Sequence, residues 1–202
     1  MKTLNYAKQS GAVLVIALVM LLVLTLLATS SMRGTALDAR ITGNHRLAVE
    51  QLNMANAALR EGELRLLDPF NVLEKTQYVA GNCSLENTLN ISGFNKPCLV
   101  DESSINIDQY FVRPIRELGA ATNGNEELQW MPYRGLDPSE EFVQDEGAPS
   151  GYWNAFYIKA GEIESGKVLH GEGEHYFLVT GQADNEVAVQ STVKTFLFGL
   201  NN

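Results

Sequence analysis

From Ala12 to Met32 the chain carries no charged residue. Its centre, Ala12 to Ala28, is apolar except for Thr25. A helix at a protein–water boundary keeps a polar face, and this run has none. Its natural solvent is lipid or a fully buried protein core. Twenty-one helical residues rise about 32 Å, enough for a hydrocarbon layer of about 30 Å. Eleven residues precede the run, with Lys2 and Lys8 as its charges. Such a basic leader belongs to an exported protein.

The leader permits two kinds of cut, or none, in which case the apolar stretch stays as a plain anchor. A cut after the small residues Ala28-Thr29-Ser30 would release a soluble exported protein, a periplasmic binding protein for example. A cut after Gly11, against the apolar run, would remove the polar leader and leave the whole greasy helix at the new N-terminus. The arrangement Lys8-Gln9-Ser10-Gly11 followed by Ala12-Val13-Leu14-Val15-Ile16 resembles the class III leader of type IV prepilins. Over Gln9 to Asn44 the sequence is similar to the N-terminal segment of the PilX-type minor pilins.

That resemblance implies a prepilin peptidase cutting between Gly11 and Ala12, with Ala12 then N-methylated. It implies a minor pilin in the bacterial inner membrane, single pass with a periplasmic C-terminal domain, later part of a cell-surface pilus. The implied partners are other minor pilins and the major pilin through the N-terminal helix, an inner-membrane assembly platform and a tip adhesin. The implied work is priming of assembly and formation of the tip, in support of twitching motility and adhesion. One departure stands out. Most type IV pilins place Glu fifth after the cut, where it neutralises the buried N-terminal ammonium of a neighbouring subunit. Ile16 holds that position here. The minor pseudopilins of type II secretion that also lack this Glu are the nearest alternative, although they usually carry a larger domain.

Beyond Met32 the sequence turns amphipathic. Leu37, Ile41, Ala48, Leu52, Ala55, Leu59 and Leu66 recur at helical steps, and this stripe is expected to lie on a globular domain. Asp38, Arg40, Arg46, Glu50, Arg60, Glu61, Glu63 and Arg65 are expected mostly on other faces. Asp68-Pro69 stops the pattern. One helix from Ala12 to Leu67 is the simplest reading. Within it, Ala28 to Thr35 holds mediocre helix formers. That stretch is either a site of partial unwinding in a packed filament or a straight helix whose hydroxyls bond back to carbonyls.

The expected organisation is therefore a leader over 1–11, a transmembrane and assembly half-helix over 12–32, an amphipathic half-helix over 33–67, and an acidic globular domain over 68–202. That last region holds eight basic and twenty acidic residues within a chain of net charge -9. Such a surface is a poor match for nucleic acid. Strands are expected at Ile105–Val112, Tyr152–Ala160, His175–Gly181 and Val187–Phe198, the last two joined across a five-residue loop, Gln182 to Glu186. The fold class is α+β, type IV pilin-like, with the long N-terminal helix packed on a small antiparallel sheet.

Chemistry is sparse. Cys83 and Cys98 enclose fourteen residues, and in an oxidising compartment they are expected to pair. Such a loop is worth about 3 kcal/mol in the chain-entropy account. Among pilins a disulfide usually lies closer to the C-terminus. His170, Glu172, Glu174 and His175 form a weak metal box, better read as a turn with solvated charges. The acidic run Asp137 to Glu146 lacks the ligand spacing of a calcium loop. No metal, cofactor or catalytic motif is expected, and the protein reads as structural rather than as an enzyme. Trp130, Trp153, Tyr133, Tyr152, Phe156 and Tyr157 suit either a core or a contact surface for a partner subunit.

Overall fold

A computed structural model describes residues 10–68, 82, 83, 87, 96–119, 129–135, 148–160 and 173–197. Two compact units divide the chain, Met1–Leu47 and Ala48–Asn202. Helix α1 runs Ser10–Leu67, 58 residues without a break.

In the first unit every described side chain is exposed. Leu14 is 71% and Ile16 59% accessible, and their apolar neighbours are similar. The helix is long and apolar enough to cross a bilayer. The stretch Ala28 to Thr35 is helical throughout. Thr25, Thr29 and Thr35 donate their hydroxyls to the carbonyls of Leu22, Leu26 and Ser31 at 2.8, 3.0 and 2.8 Å. This capture lets a hydroxyl sit on an apolar helix with its donor satisfied.

The second unit is built on a four-stranded antiparallel sheet, β1 (Met131–Pro132), β2 (Gly151–Ala160), β3 (Gly173–Ala183) and β4 (Val187–Leu197), in the order β1-β2-β3-β4. Alternation sends the two faces of each strand to different cores. Ala155, Phe177, Val179 and Val193 join Leu59, Leu66 and Leu99 in one cluster. Phe156 and Leu178 join Val100 and Tyr110 in another. The C-terminal part of α1 covers the first face. Two short helices, α2 (Ile107–Val112) and α3 (Pro114–Leu118), lie on the second. The architecture is a long N-terminal helix with a small antiparallel sheet, an α+β pilin-like arrangement.

Three sequence expectations change. The stretch Ile105–Val112 is mostly helix rather than strand. Asn106 caps it, its side chain accepting from the Gln109 N–H, and Pro114 begins the next helix at a position where its missing N–H costs nothing. Ile107 and Tyr110 share an inward face at helical spacing, a period hidden by the β-like composition of the run. The hairpin loop is shorter than five residues: Gln182 and Ala183 belong to β3, leaving Asp184–Glu186. Asp184 and Asn185 adopt φ of 51° and 60°, which Asp and Asn tolerate better than most residues.

The third change concerns α1. Its buried face is Ala55, Ala58, Leu59, Glu61, Gly62, Arg65 and Leu66, not a stripe beginning at Leu37. Leu37, Ile41, Ala48 and Leu52 are exposed. The sheet is strictly complementary to a helix of small residues. A Cβ added at Gly181 of β3 would run into the Ala55 carbonyl and stand 2.5 Å from the Leu59 nitrogen. Only glycine lets strand and helix approach this closely.

Candidate functional site

The N-terminal site is simple. Gly11 and Ala12 are both exposed on the first described turns of α1, and nothing crowds the position where a Gly11 Cβ would stand. Ile16 is likewise exposed and offers no charge. The apolar surface from Val13 to Leu27 has no cover among the described residues of its own unit.

In the second unit the chemistry is concentrated where α1 meets the segment closed by the disulfide. Cys83 and Cys98 are bonded, with Cα atoms 4.8 Å apart. Cys98 is also tied to the sheet: its carbonyl accepts from the Ala155 N–H at 2.9 Å, and Val100 N–H donates to the Ala155 carbonyl at 2.8 Å. Asn87, inside the covalent loop, acts as a knot. Its amide donates to the Asn82 and Lys96 carbonyls and accepts from the Lys96 N–H.

Into this knot reaches Arg65. Its Nη1 donates to Asn87 Oδ1 at 2.6 Å and to the Asn87 carbonyl at 2.9 Å, while Nη2 meets Glu61 Oε1 at 2.6 Å. Glu61 Oε2 accepts from the Arg134 N–H at 2.7 Å. The guanidinium carbon lies 5.1 Å from the Trp153 ring centroid. Both members of the pair are wholly buried. Burial pushes the Glu61 carboxyl up from its ordinary range, with Arg65 opposing it. Burial likewise lowers the Arg65 guanidinium, with Glu61 opposing. The i,i+4 spacing of Glu61 and Arg65 is the one sequence signal for the pair, and it does not distinguish a buried pair from the solvated charges elsewhere on this helix.

The opposite face of the sheet holds a smaller network. Tyr110 donates its hydroxyl to Asn154 Oδ1 at 2.6 Å and lies 3.1 Å from Thr180 Oγ1. Burial pushes its phenol well above the ordinary range.

The sequence-based candidates separate as follows. His175 is buried, its Nδ1 3.1 Å from the Tyr157 hydroxyl, and burial lowers its pKa. Glu174 instead pairs with Lys194 at 2.6 Å, so this part of the proposed box does not converge on a metal. His170, Glu172 and the acidic run Asp137 to Glu146 lie outside the described residues. Trp130, Trp153 and Phe156 are core residues, while Tyr133, Tyr152 and Tyr157 are half-buried.

Residues 10–60 match the family described as PilX N-terminal. That match covers the apolar half of α1 and part of the face that packs on the sheet. No curated protein and no solved structure matches the chain.

Proposed function

We propose that this chain is a minor subunit of a type IV pilus that helps prime assembly and sits at or near the tip, a reading supported by the match of residues 10–60 to the PilX N-terminal family. The observation that carries the reading is an uncharged, fully exposed helix beginning beside Gly11. Cleavage between Gly11 and Ala12, followed by methylation of Ala12, gives that helix two suitable environments. One is the lipid of the inner membrane. The other is a bundle of like helices from the major pilin and other minor pilins. Both are apolar, so transfer between them exposes little greasy surface to water.

Ile16 restricts the position in the bundle. A subunit inserted behind another must face that subunit's N-terminal ammonium, and a buried charge without a partner is costly. A subunit that enters first meets no such charge. This supports a place in the tip complex, in few copies, with the periplasmic domain carried outward to contact a tip adhesin and to support twitching and adhesion. Partial unwinding near Ala28 to Thr35 on packing belongs to the same reading.

The mature N-terminus tests it. Intact-mass analysis of the protein from membranes is expected to give a chain starting at Ala12 and one methyl group heavier. A start at Ser31 would assign a soluble exported protein, and a start at Met1 a plain anchor. A deletion that abolishes protein secretion but leaves piliation intact would assign the chain to a pseudopilus.

A further inference from the structure

The two edges of the sheet are finished differently. The outer edge of β2 is covered: β1 pairs with Tyr152 and Trp153, and the Cys98–Val100 segment bridges at Ala155. The outer edge of β4 carries no strand among the described residues. Natural sheets blunt a bare edge with charge, proline or a bulge. From Val187 to Val193 the edge reads Val-Ala-Val-Gln-Ser-Thr-Val, with none of these devices. The first charged residue is Lys194, already engaged by Glu174 of β3 at 2.6 Å.

Beside this undefended stretch lies a groove of about 630 Å³, a size ordinary for ligand sites. Val112, Arg113, Ile115 and Arg116 of the α2–α3 region form one wall, and Glu186 and Ala188 stand on the other. Both arginines are exposed. Among the described residues neither guanidinium has a carboxylate partner. Among the described residues these two unpaired guanidiniums stand out in a region with eight basic and twenty acidic residues, with Asp108 and Glu117 lining an adjoining cleft beside them. An acidic partner is repelled by most of such a surface and attracted here.

We propose that this groove docks an extended, acidic segment of a partner protein, which adds a strand to β4 and gives its carboxylates to Arg113 and Arg116. Main-chain pairing to the free edge supplies affinity, and side-chain contacts in the groove supply selectivity. Arginine suits the second task because its planar fork takes a carboxylate through two parallel hydrogen bonds. The proposal does not depend on the pilus assignment, since it rests on the second unit alone.

The test uses the full chain in detergent micelles and a phage-displayed library of random twelve-residue peptides. Selection is expected to enrich peptides that combine alternating β-branched residues with Asp or Glu. By fluorescence anisotropy, an enriched peptide should bind at least about tenfold more weakly after Asp and Glu are changed to Asn and Gln, or to the Arg113→Gln/Arg116→Gln protein. Both positions are exposed, and circular dichroism with thermal melting checks that the variant keeps its fold. An Arg113→Glu/Arg116→Glu protein should select basic peptides instead. The proposal is overturned if no peptide is enriched, or if the enriched peptides are neutral or basic. Equal binding to wild type and the glutamine variant, or occupation of the β4 edge by a second copy of the chain, would overturn it too.

Discussion

Glu61 and Arg65 are joined at 2.6 Å with neither in contact with water. Desolvation opposes such a pair about as strongly as attraction favours it, so the pair itself is weak evidence of stability. Removing one partner is a different matter. Arg65→Met leaves a carboxylate buried and the Asn87 knot without its donor, and is expected to cost about 3–5 kcal/mol. Glu61→Leu/Arg65→Met should recover much of that loss. Urea unfolding of the two variants, followed by tryptophan fluorescence, measures the difference. A single variant as stable as wild type would show that the pair contributes no specificity. His175 makes a pH prediction. Burial lowers its folded pKa below the ordinary 6.5, so the unfolded chain takes up a proton first as pH falls. The stability this group supplies is therefore complete above about 6.5, declines as pH falls through the window beneath it, and levels off below the folded value. His175→Gln should abolish that part of the slope in a melting-temperature series, leaving the opposing contribution of raised-pKa Glu61 in place.

At the scale of elements, the contact between α1 and β3 decides where the helix stops being free and becomes part of a domain. Ala55, Ala58 and Gly62 on the helix face Gly181 and its neighbours on the sheet, with little side chain between the two backbones. Gly181→Ala places a methyl group against the Ala55 carbonyl and 2.5 Å from the Leu59 nitrogen. Neither atom can move without the helix, so the expected loss is about 1–3 kcal/mol or more. Gly151→Ala is the control. Its Cβ would meet the Met54 side chain at 2.8 Å, and a flexible thioether yields for less than about 1 kcal/mol. Comparable denaturation midpoints for the two variants would contradict this account of the interface. The same elements show what sequence periodicity can convey. β3 and β4 are legible because β-branched and aromatic residues crowd the buried β3 and the inward positions of β4, such as Val193. The stripe from Leu37 was misleading because apolar spacing reports that a face seeks cover, not that the chain's own domain supplies it. Residues 107–112 read as a strand because four strand-forming side chains, Ile107, Tyr110, Phe111 and Val112, outweigh one capping asparagine and the proline behind it.

For the whole molecule, the two units follow different rules of legibility. The greasy helix and the glycine before it could be read directly, because an uncharged run of this length admits few solvents. The burial of the Glu61–Arg65 pair and the knot around Asn87 could not, because they depend on contacts with Asn87, Arg134 and Trp153, far away in sequence. The edge position of β4, unpaired among the described residues, likewise appears only once strand order is known. On the proposed reading, the unit that could be read is also the one that sets the protein's place in an assembly, and Ile16 is its most informative residue. Replacing it by glutamate changes nothing in the globular unit and leaves the proposed cleavage site, Gly11–Ala12, untouched. On the tip reading, Ile16→Glu supplies the missing partner for a neighbour's ammonium and makes later insertion affordable. Immunogold labelling should then move from pilus ends to positions along the shaft, with more copies per filament. Wild-type protein already spread along the shaft, or a glutamate variant still confined to the ends, would mean that charge at this position does not govern where the subunit enters.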